Sequence, residues 1–162
     1  MDLGFFGSNS FNLLPHLAAL AAAYVLAVPI GWNREYEERS AGLRTFPLVA
    51  VATCGFVQAS ETLVASSPEA MARIIEGLIT GMGFIGGGAI LRQSDSVKGT
   101  ATAASLWVTG AIGAAVGLGS YDVAVILAIV TVLTLWMMEP LKRLGHLGPE
   151  QRKSTASKRR QE

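Results

Sequence analysis

The residues best placed to do chemistry are four polar side chains at neighbouring ends of two apolar stretches: Gln58, Glu61, Arg73 and Glu76. An unpaired charge inside a membrane helix costs about 2.5 to 3.5 kcal/mol, so charges kept there are candidates for function. The carboxylate oxygens of Glu61 and Glu76 suit Mg²⁺ or protons better than soft metals. Two interpretations stay open: a cation site, or an Arg73–Glu76 pair at i and i+3 that ties two helices together, which is favoured.

No pattern typical of an enzyme accompanies this cluster. The two histidines, His16 and His146, stand near opposite ends of the chain, and neither an H-E-x-x-H motif nor a nucleophile elbow is present. Gly81, Gly83 and Gly86 match the dinucleotide fingerprint, but the strand, soluble helix and acidic residue that it requires are missing. We therefore expect no enzyme activity, no catalytic residue, no cofactor and no bound metal centre.

Composition explains where the polar cluster must sit. The 162 residues are 51% hydrophobic and 15% charged, and their mean hydropathy is +0.42, which is too apolar for a soluble domain of this size. We predict an all-α, multi-pass membrane protein with a short extracytoplasmic N-terminus (residues 1–10), five spans and a basic, disordered cytoplasmic tail (139–162). The predicted transmembrane helices cover residues 11–31, 45–65, 73–92, 100–119 and 121–138.

The third predicted span is rich in glycine. Arg73 and Arg92 bracket it, and at 1.5 Å per residue they lie about 28 Å apart, close to the thickness of a bilayer's hydrocarbon core. Between them stand six glycines: Gly77, Gly81, Gly83, Gly86, Gly87 and Gly88. Because small residues let membrane helices approach closely, we predict that this span is the packing centre and that the glycines of the fourth span face it.

Basic residues choose the orientation. With the N-terminus outside, twelve of the 13 Lys and Arg residues fall on the cytoplasmic side and only Arg73 lies outside. The positive-inside rule therefore predicts an external N-terminus and a cytoplasmic C-terminus. In this arrangement the four polar residues lie near the outer boundary.

Four sequence runs resemble the membrane domain of the MgtC/SapB family of bacterial inner-membrane proteins. They are AGLRT (41–45), GMGFIGGGAI (81–90), VKGTATAASLW (97–107) and AIGAAVGLG (111–119). The family-pattern positions are Gly42, Leu43, Arg44, Thr45, Gly81, Gly83, Phe84, Gly86, Gly88, Thr102, Leu106 and Trp107. Two features depart from the family: Asn33 stands where an acidic residue is common, and longer relatives carry a soluble domain where this sequence has a basic tail.

The resemblance implies a multi-pass inner-membrane protein linked to growth under magnesium limitation and, in pathogens, to survival inside host cells. It also implies that some members restrain the F-type ATP synthase instead of transporting magnesium. The leading hypothesis is therefore a regulator that binds another membrane complex. A homo-oligomer is a further expected assembly, and we expect no nucleic-acid partner. The alternative is a small magnesium or proton transporter or channel, in which the Gly86–Gly88 run would let the third helix unwind.

Overall fold

A computed structural model describes residues 13–36, 41–64, 67–93 and 96–146 of the chain. Its helices are α1 (Leu13–Tyr36), α2 (Thr45–Val64), α3 (Pro68–Gly88), α4 (Thr100–Gly117) and α5 (Tyr121–His146). A short hairpin of β1 (Leu91–Gln93) and β2 (Ser96–Lys98) joins α3 to α4. The predicted all-α architecture is confirmed for the described residues.

In the described part of the chain, three helices are long and apolar enough to cross a membrane by length and composition. They are α1, α4 and the Tyr121–Met138 part of α5. α2 and α3 have nearly the same length but are not among these three, and they carry Gln58 and Glu61, and Arg73 and Glu76, respectively. Length alone therefore does not separate α2 and α3 from the three apolar helices.

Two helix ends differ from the sequence prediction. α1 continues beyond Gly31 as far as Tyr36, so Asn33 and Arg34 are helical instead of lying in a charged loop. α5 likewise continues past Met138 to His146, so the first part of the predicted tail is helical. In both places the apolar pattern ends before the helix does, because polar residues such as Arg and Lys also favour helix. Residues 1–12 and 147–162, which include most of the predicted termini, lie outside the described residues.

The third helix is also displaced from its predicted bounds. It begins at Pro68, where the side chain of Ser67 accepts a hydrogen bond from the Ala70 N–H and proline occupies the first turn. It ends at Gly88, so Arg92 lies in a strand and not in the span. The prediction of a helix through residue 92 is therefore wrong, because the three closing glycines are poor helix formers.

The hairpin reverses the chain direction between α3 and α4. Its strands pair antiparallel, with Leu91 opposite Lys98. Gly99 follows at φ 91°, and a Cβ there would overlap the carbonyl oxygen of Ala89. Only glycine fits this turn without strain, so the position fixes how α4 leaves the hairpin.

The packing centre is α4, not α3. α4 contacts all four other helices, and its buried side chains include Thr102, Ser105 and Thr109. Its glycines mostly meet α2 instead of α3: a Cβ on Gly113 would lie 3.0 Å from the backbone Cα of Ala50, and one on Gly117 3.0 Å from the Cys54 carbonyl oxygen. The prediction that these glycines face the third span holds only for Gly110, which lies against Met82.

α3 lies on the α4 side of the bundle and leaves most of its glycines open. Gly86 approaches α4 closely, since a Cβ at this position would lie 3.3 Å from the Ala103 carbonyl oxygen. In the described part of the chain, no atom lies within 4 Å of a Cβ built on any of the other five: Gly77, Gly81, Gly83, Gly87 and Gly88. Within a single copy of the chain, the expectation that these five glycines are buried at a tight internal contact is therefore wrong.

Candidate functional site

Three of the four family-like runs meet at one end of the bundle. α2 and α3 are joined by a short connection and run antiparallel, so the start of α2 lies beside the end of α3, and Arg44 and Ile85 line the same cavity. The start of α4 joins them, since Ala103 contacts Gly86. We call this the motif end of the bundle.

At the motif end, the run before α2 packs on the last turns of α1. The backbone N–H of Leu43 donates to a carboxylate oxygen of Glu35 at 3.2 Å. A Cβ on Gly42 would lie 3.2 Å from the Glu35 Cα, and one on Gly31 3.2 Å from the Leu43 Cα. The Gly42 carbonyl oxygen accepts from Thr45 and Phe46 at 3.0 and 3.2 Å, which starts α2. Position 42 therefore requires a small residue, because two backbones meet there.

A buried polar pair lies one turn from this contact. Asn33 is 7% exposed and Arg34 is 5% exposed. The Arg34 guanidinium donates through Nε to the Asn33 side-chain oxygen at 3.1 Å, and Nη2 donates to the same oxygen. The amide oxygen of Asn33 thus supplies the acceptor for the buried guanidinium.

Sequence reasoning misses these α1 residues because it ends the helix at Gly31. Gly31 and Glu35 stand four residues apart and therefore share one helical face. That spacing is a usable signal, because extending the helix by one turn places both residues against the AGLRT run.

The predicted polar cluster is spread over the opposite end of α2 and α3. Glu61, Arg73 and Glu76 are exposed, and Gln58 is partly exposed. Among the described residues no hydrogen bond or ion pair joins any two of the four, so the favoured Arg73–Glu76 pair is not formed. The cation site stays a prediction.

The helical faces explain why the cluster does not close. A cavity of about 400 Å³ lies between α2 and α3 near this end and is lined by Phe56, Ala59, Ser60, Ile74, Gly77 and Leu78. At about 100° per residue, Gln58 and Glu61 lie on the half of α2 that faces away from Phe56. By the same rule Glu76 faces away from Ile74 on α3.

The remaining family-pattern residues divide into buried and open positions. Thr102 and Leu106 are each 1% exposed in the bundle core, whereas Phe84 on α3 is 86% exposed. Trp107 is 47% exposed and lines a cavity of about 350 Å³ beside α3, α4 and α5. Trp107 therefore packs within the bundle with only about half of its surface.

Two of the three buried hydroxyls of α4, those of Ser105 and Thr109, form hydrogen bonds within their own helix. Ser105 donates to the Ala101 carbonyl oxygen at 2.6 Å, and Thr109 donates to that of Ser105 at 2.8 Å. In the described part of the chain, no three His, Cys, Asp or Glu residues are grouped closely enough to hold a metal ion. The geometry therefore favours packing and docking surfaces over a polar pathway.

Comparison with known proteins gives a consistent result. A family model described as the MgtC family matches residues 20–144. The chain is 35% identical over 136 residues to protein MgtC of Salmonella typhimurium strain LT2, covering 83% of this chain and 58% of that protein. It is 35% identical over 140 residues to protein SrpB of Synechococcus elongatus, covering 79% of this chain and 77% of that protein.

Protein MgtC of Brucella abortus strain 2308 is 36% identical over 129 residues, which cover 79% of this chain and 53% of that protein. The chain thus spans a little more than half the length of the MgtC relatives that it matches. No solved structure matches the chain. The three apolar helices and the family match together identify this chain as a membrane protein.

Proposed function

The chain belongs to the MgtC family, and we propose that it is an inner-membrane protein that serves adaptation to low magnesium and ion or proton homeostasis. It acts by binding and regulating another membrane complex, for which the family resemblance suggests one like the F-type ATP synthase. The observation that carries this proposal is the open outer face of α3.

The outer face of α3 consists of Thr80, Gly83, Phe84 and Gly87. These residues fall within about 120° of the helix circumference, all are exposed, and Phe84 is 86% exposed. Among the described residues, no atom lies within 4 Å of a methyl group built on Gly83 or Gly87. Helices in lipid associate where small residues let their backbones approach, so such a face suits a partner helix.

α5 offers a contrast within the same protein. Its exposed side chains are bulky: Val125, Ile129, Val130, Leu133 and Trp136 are all more than 40% exposed. Such a surface fits fluid acyl chains, which need no close backbone approach. The difference between the two helices supports α3, and not α5, as the surface that meets a partner.

The proposal also places α2 and α3 across the bilayer, which makes five spans with the N-terminus outside. α2 has 20 residues and α3 has 21, and helices of that length are about 30 Å long, as a bilayer core requires. This orientation puts twelve of the 13 Lys and Arg residues on the cytoplasmic side, which agrees with the positive-inside rule.

Transport of Mg²⁺ or protons by one copy of the chain has less support. The cavities on both sides of α3 are lined mainly by apolar side chains, and the buried hydroxyls of Ser105 and Thr109 on α4 bond to their own backbone. An ion in either place would be poorly solvated. Regulation through a helix face requires no such pathway.

Complementation of a strain that lacks the protein tests the proposal. Gly83→Leu and Gly87→Leu should abolish growth in low magnesium while the variants still insert at normal levels, because both side chains would obstruct the outer face without a clash inside the chain. Ala21→Leu, a small-to-large change at an exposed position of α1, is the matched control and should grow normally.

Normal growth of both glycine variants, at normal protein levels, would contradict the proposal. Ion flux in liposomes provides a separate check. Flux under a magnesium or proton gradient that is lost in Glu61→Gln or Glu76→Gln would favour transport over regulation as the function.

A further inference from the structure

A groove of about 570 Å³ runs between α2 and α3 from the motif end toward the middle of the bundle. Its α2 side extends from Arg44 and Leu48 to Phe56, and its α3 side from Ile85 to Gly77. The groove exists because α4 holds α2 and α3 separately: Gly113 brings α2 close, whereas Met82 over Gly110 supports α3.

Glycines keep the groove open. Gly77 and Gly81 line it, and a Cβ at either position would meet no atom within 4 Å. A larger residue at position 81 would project into this space. The absence of side chains at these two positions therefore adds to the space that the separate support of α2 and α3 leaves.

The dimensions of the groove match one leaflet of a bilayer. The α2 wall runs from Thr45 to Phe56, and these eleven helical steps cover about 16 Å along the helix axis. Half of a hydrocarbon core about 30 Å thick is close to this length. An acyl chain that entered at the Arg44 end would therefore reach the middle of the bilayer at Phe56.

The two ends of the α2–α3 interface differ in charge. Arg44 is exposed and stands at the mouth of the groove, where a lipid headgroup would lie. The neighbouring cavity of about 400 Å³ continues beyond Phe56 and has no charged residue in its lining. A guanidinium forms strong, often bidentate hydrogen bonds with phosphate, so only the Arg44 half is complementary to an anionic headgroup.

We propose that this groove binds one anionic phospholipid, with an acyl chain between α2 and α3 and the headgroup phosphate on Arg44. The inference rests on the proposed membrane crossing of α2 and α3, and not on the identity of any protein partner. Bound lipid would fill the space that Gly77 and Gly81 leave and would hold α3 beside α2.

Native mass spectrometry of the purified full chain tests this inference, with phosphatidylglycerol compared with phosphatidylcholine of the same acyl chains. One basic residue near a membrane surface should favour the anionic lipid by about fivefold. Arg44→Gln should reduce that preference to about one, and Arg73→Gln, which removes a basic residue outside the groove, should leave it unchanged.

A second pair of variants tests the acyl-chain site. Gly81→Leu should reduce retention of both lipids, because its side chain occupies the groove, whereas Gly83→Leu on the outer face of α3 should not. An unchanged lipid preference in Arg44→Gln would overturn the inference, and so would equal lipid retention in the two glycine variants. Folding of each variant is checked by its thermal unfolding midpoint. Growth in low magnesium is scored separately, so failure of lipid binding is distinguishable from failure of the proposed regulatory function.

Discussion

The same substitution, Gly→Ala, should have opposite effects on stability at Gly113 and at Gly83. At Gly113 the new methyl group would lie 3.0 Å from both Cα and C of Ala50, which are backbone atoms of α2 and cannot rotate away. Overpacking of this kind costs about 1 to 3 kcal/mol. At Gly83 the methyl group meets no atom within 4 Å, and alanine is favoured over glycine in a helix by about 0.5 to 1 kcal/mol.

The two variants should therefore differ in free energy of unfolding by about 1.5 to 4 kcal/mol, with Gly113→Ala the less stable. Reversible unfolding of the purified protein in mixed micelles, followed by circular dichroism, measures this difference. Gly87→Ala serves as a second open position and should behave as Gly83→Ala. Equal effects at positions 113 and 83, or greater loss at 83, would refute α4 as the packing centre.

Three further substitutions test other contacts. Gly117→Ala should also destabilise, by about 1 to 3 kcal/mol, because the methyl group would lie 3.0 Å from the Cys54 carbonyl oxygen; an unfolding midpoint equal to wild type would count against the α2–α4 packing. Thr109→Val should change stability by less than about 1.5 kcal/mol and leave low-magnesium growth intact, since its hydroxyl bonds only to the Ser105 carbonyl; loss of growth in a stable protein would point to a polar pathway. Gly42→Leu should reduce the level of folded protein, because Glu35 occupies the space; a normal level on immunoblots would exclude the close α1–loop contact.

Hydrophobic pattern locates the helices because apolar runs must be buried or face lipid, and the predicted segments overlap all five helices of the described chain. The hydrophobic pattern does not predict the helix ends, such as the end of α1 at Tyr36 or the end of α3 before Arg92. Helix capping and strand pairing decide these ends, and both depend on neighbouring residues and not on hydropathy. The pattern also places the glycines of the third and fourth spans against each other, whereas Gly113 is buried against α2 and Gly83 is open. A glycine's sequence position does not reveal which helix, or which partner, lies against it.

The candidate site is predictable only in part for the same reason. The sequence singles out the family-like runs, but their meeting at one end of the bundle follows from the antiparallel order of α2, α3 and α4. The apolar pattern puts Glu35 in a loop, and its contact with Leu43 is therefore missed. For Glu61 and Glu76, the sequence predicts proximity along the membrane normal but not the helix rotations that point them apart.

The most direct test of the central claim is site-specific photo-crosslinking in membranes of cells grown in low magnesium. A photoreactive amino acid at Phe84, on the outer face of α3, should form a discrete product with a subunit of another membrane complex. The same amino acid at Ile129, which is 53% exposed on α5, should form none. Products of equal yield at both positions, or none at Phe84 in a strain where the variant supports growth, would contradict a partner-binding role for this face.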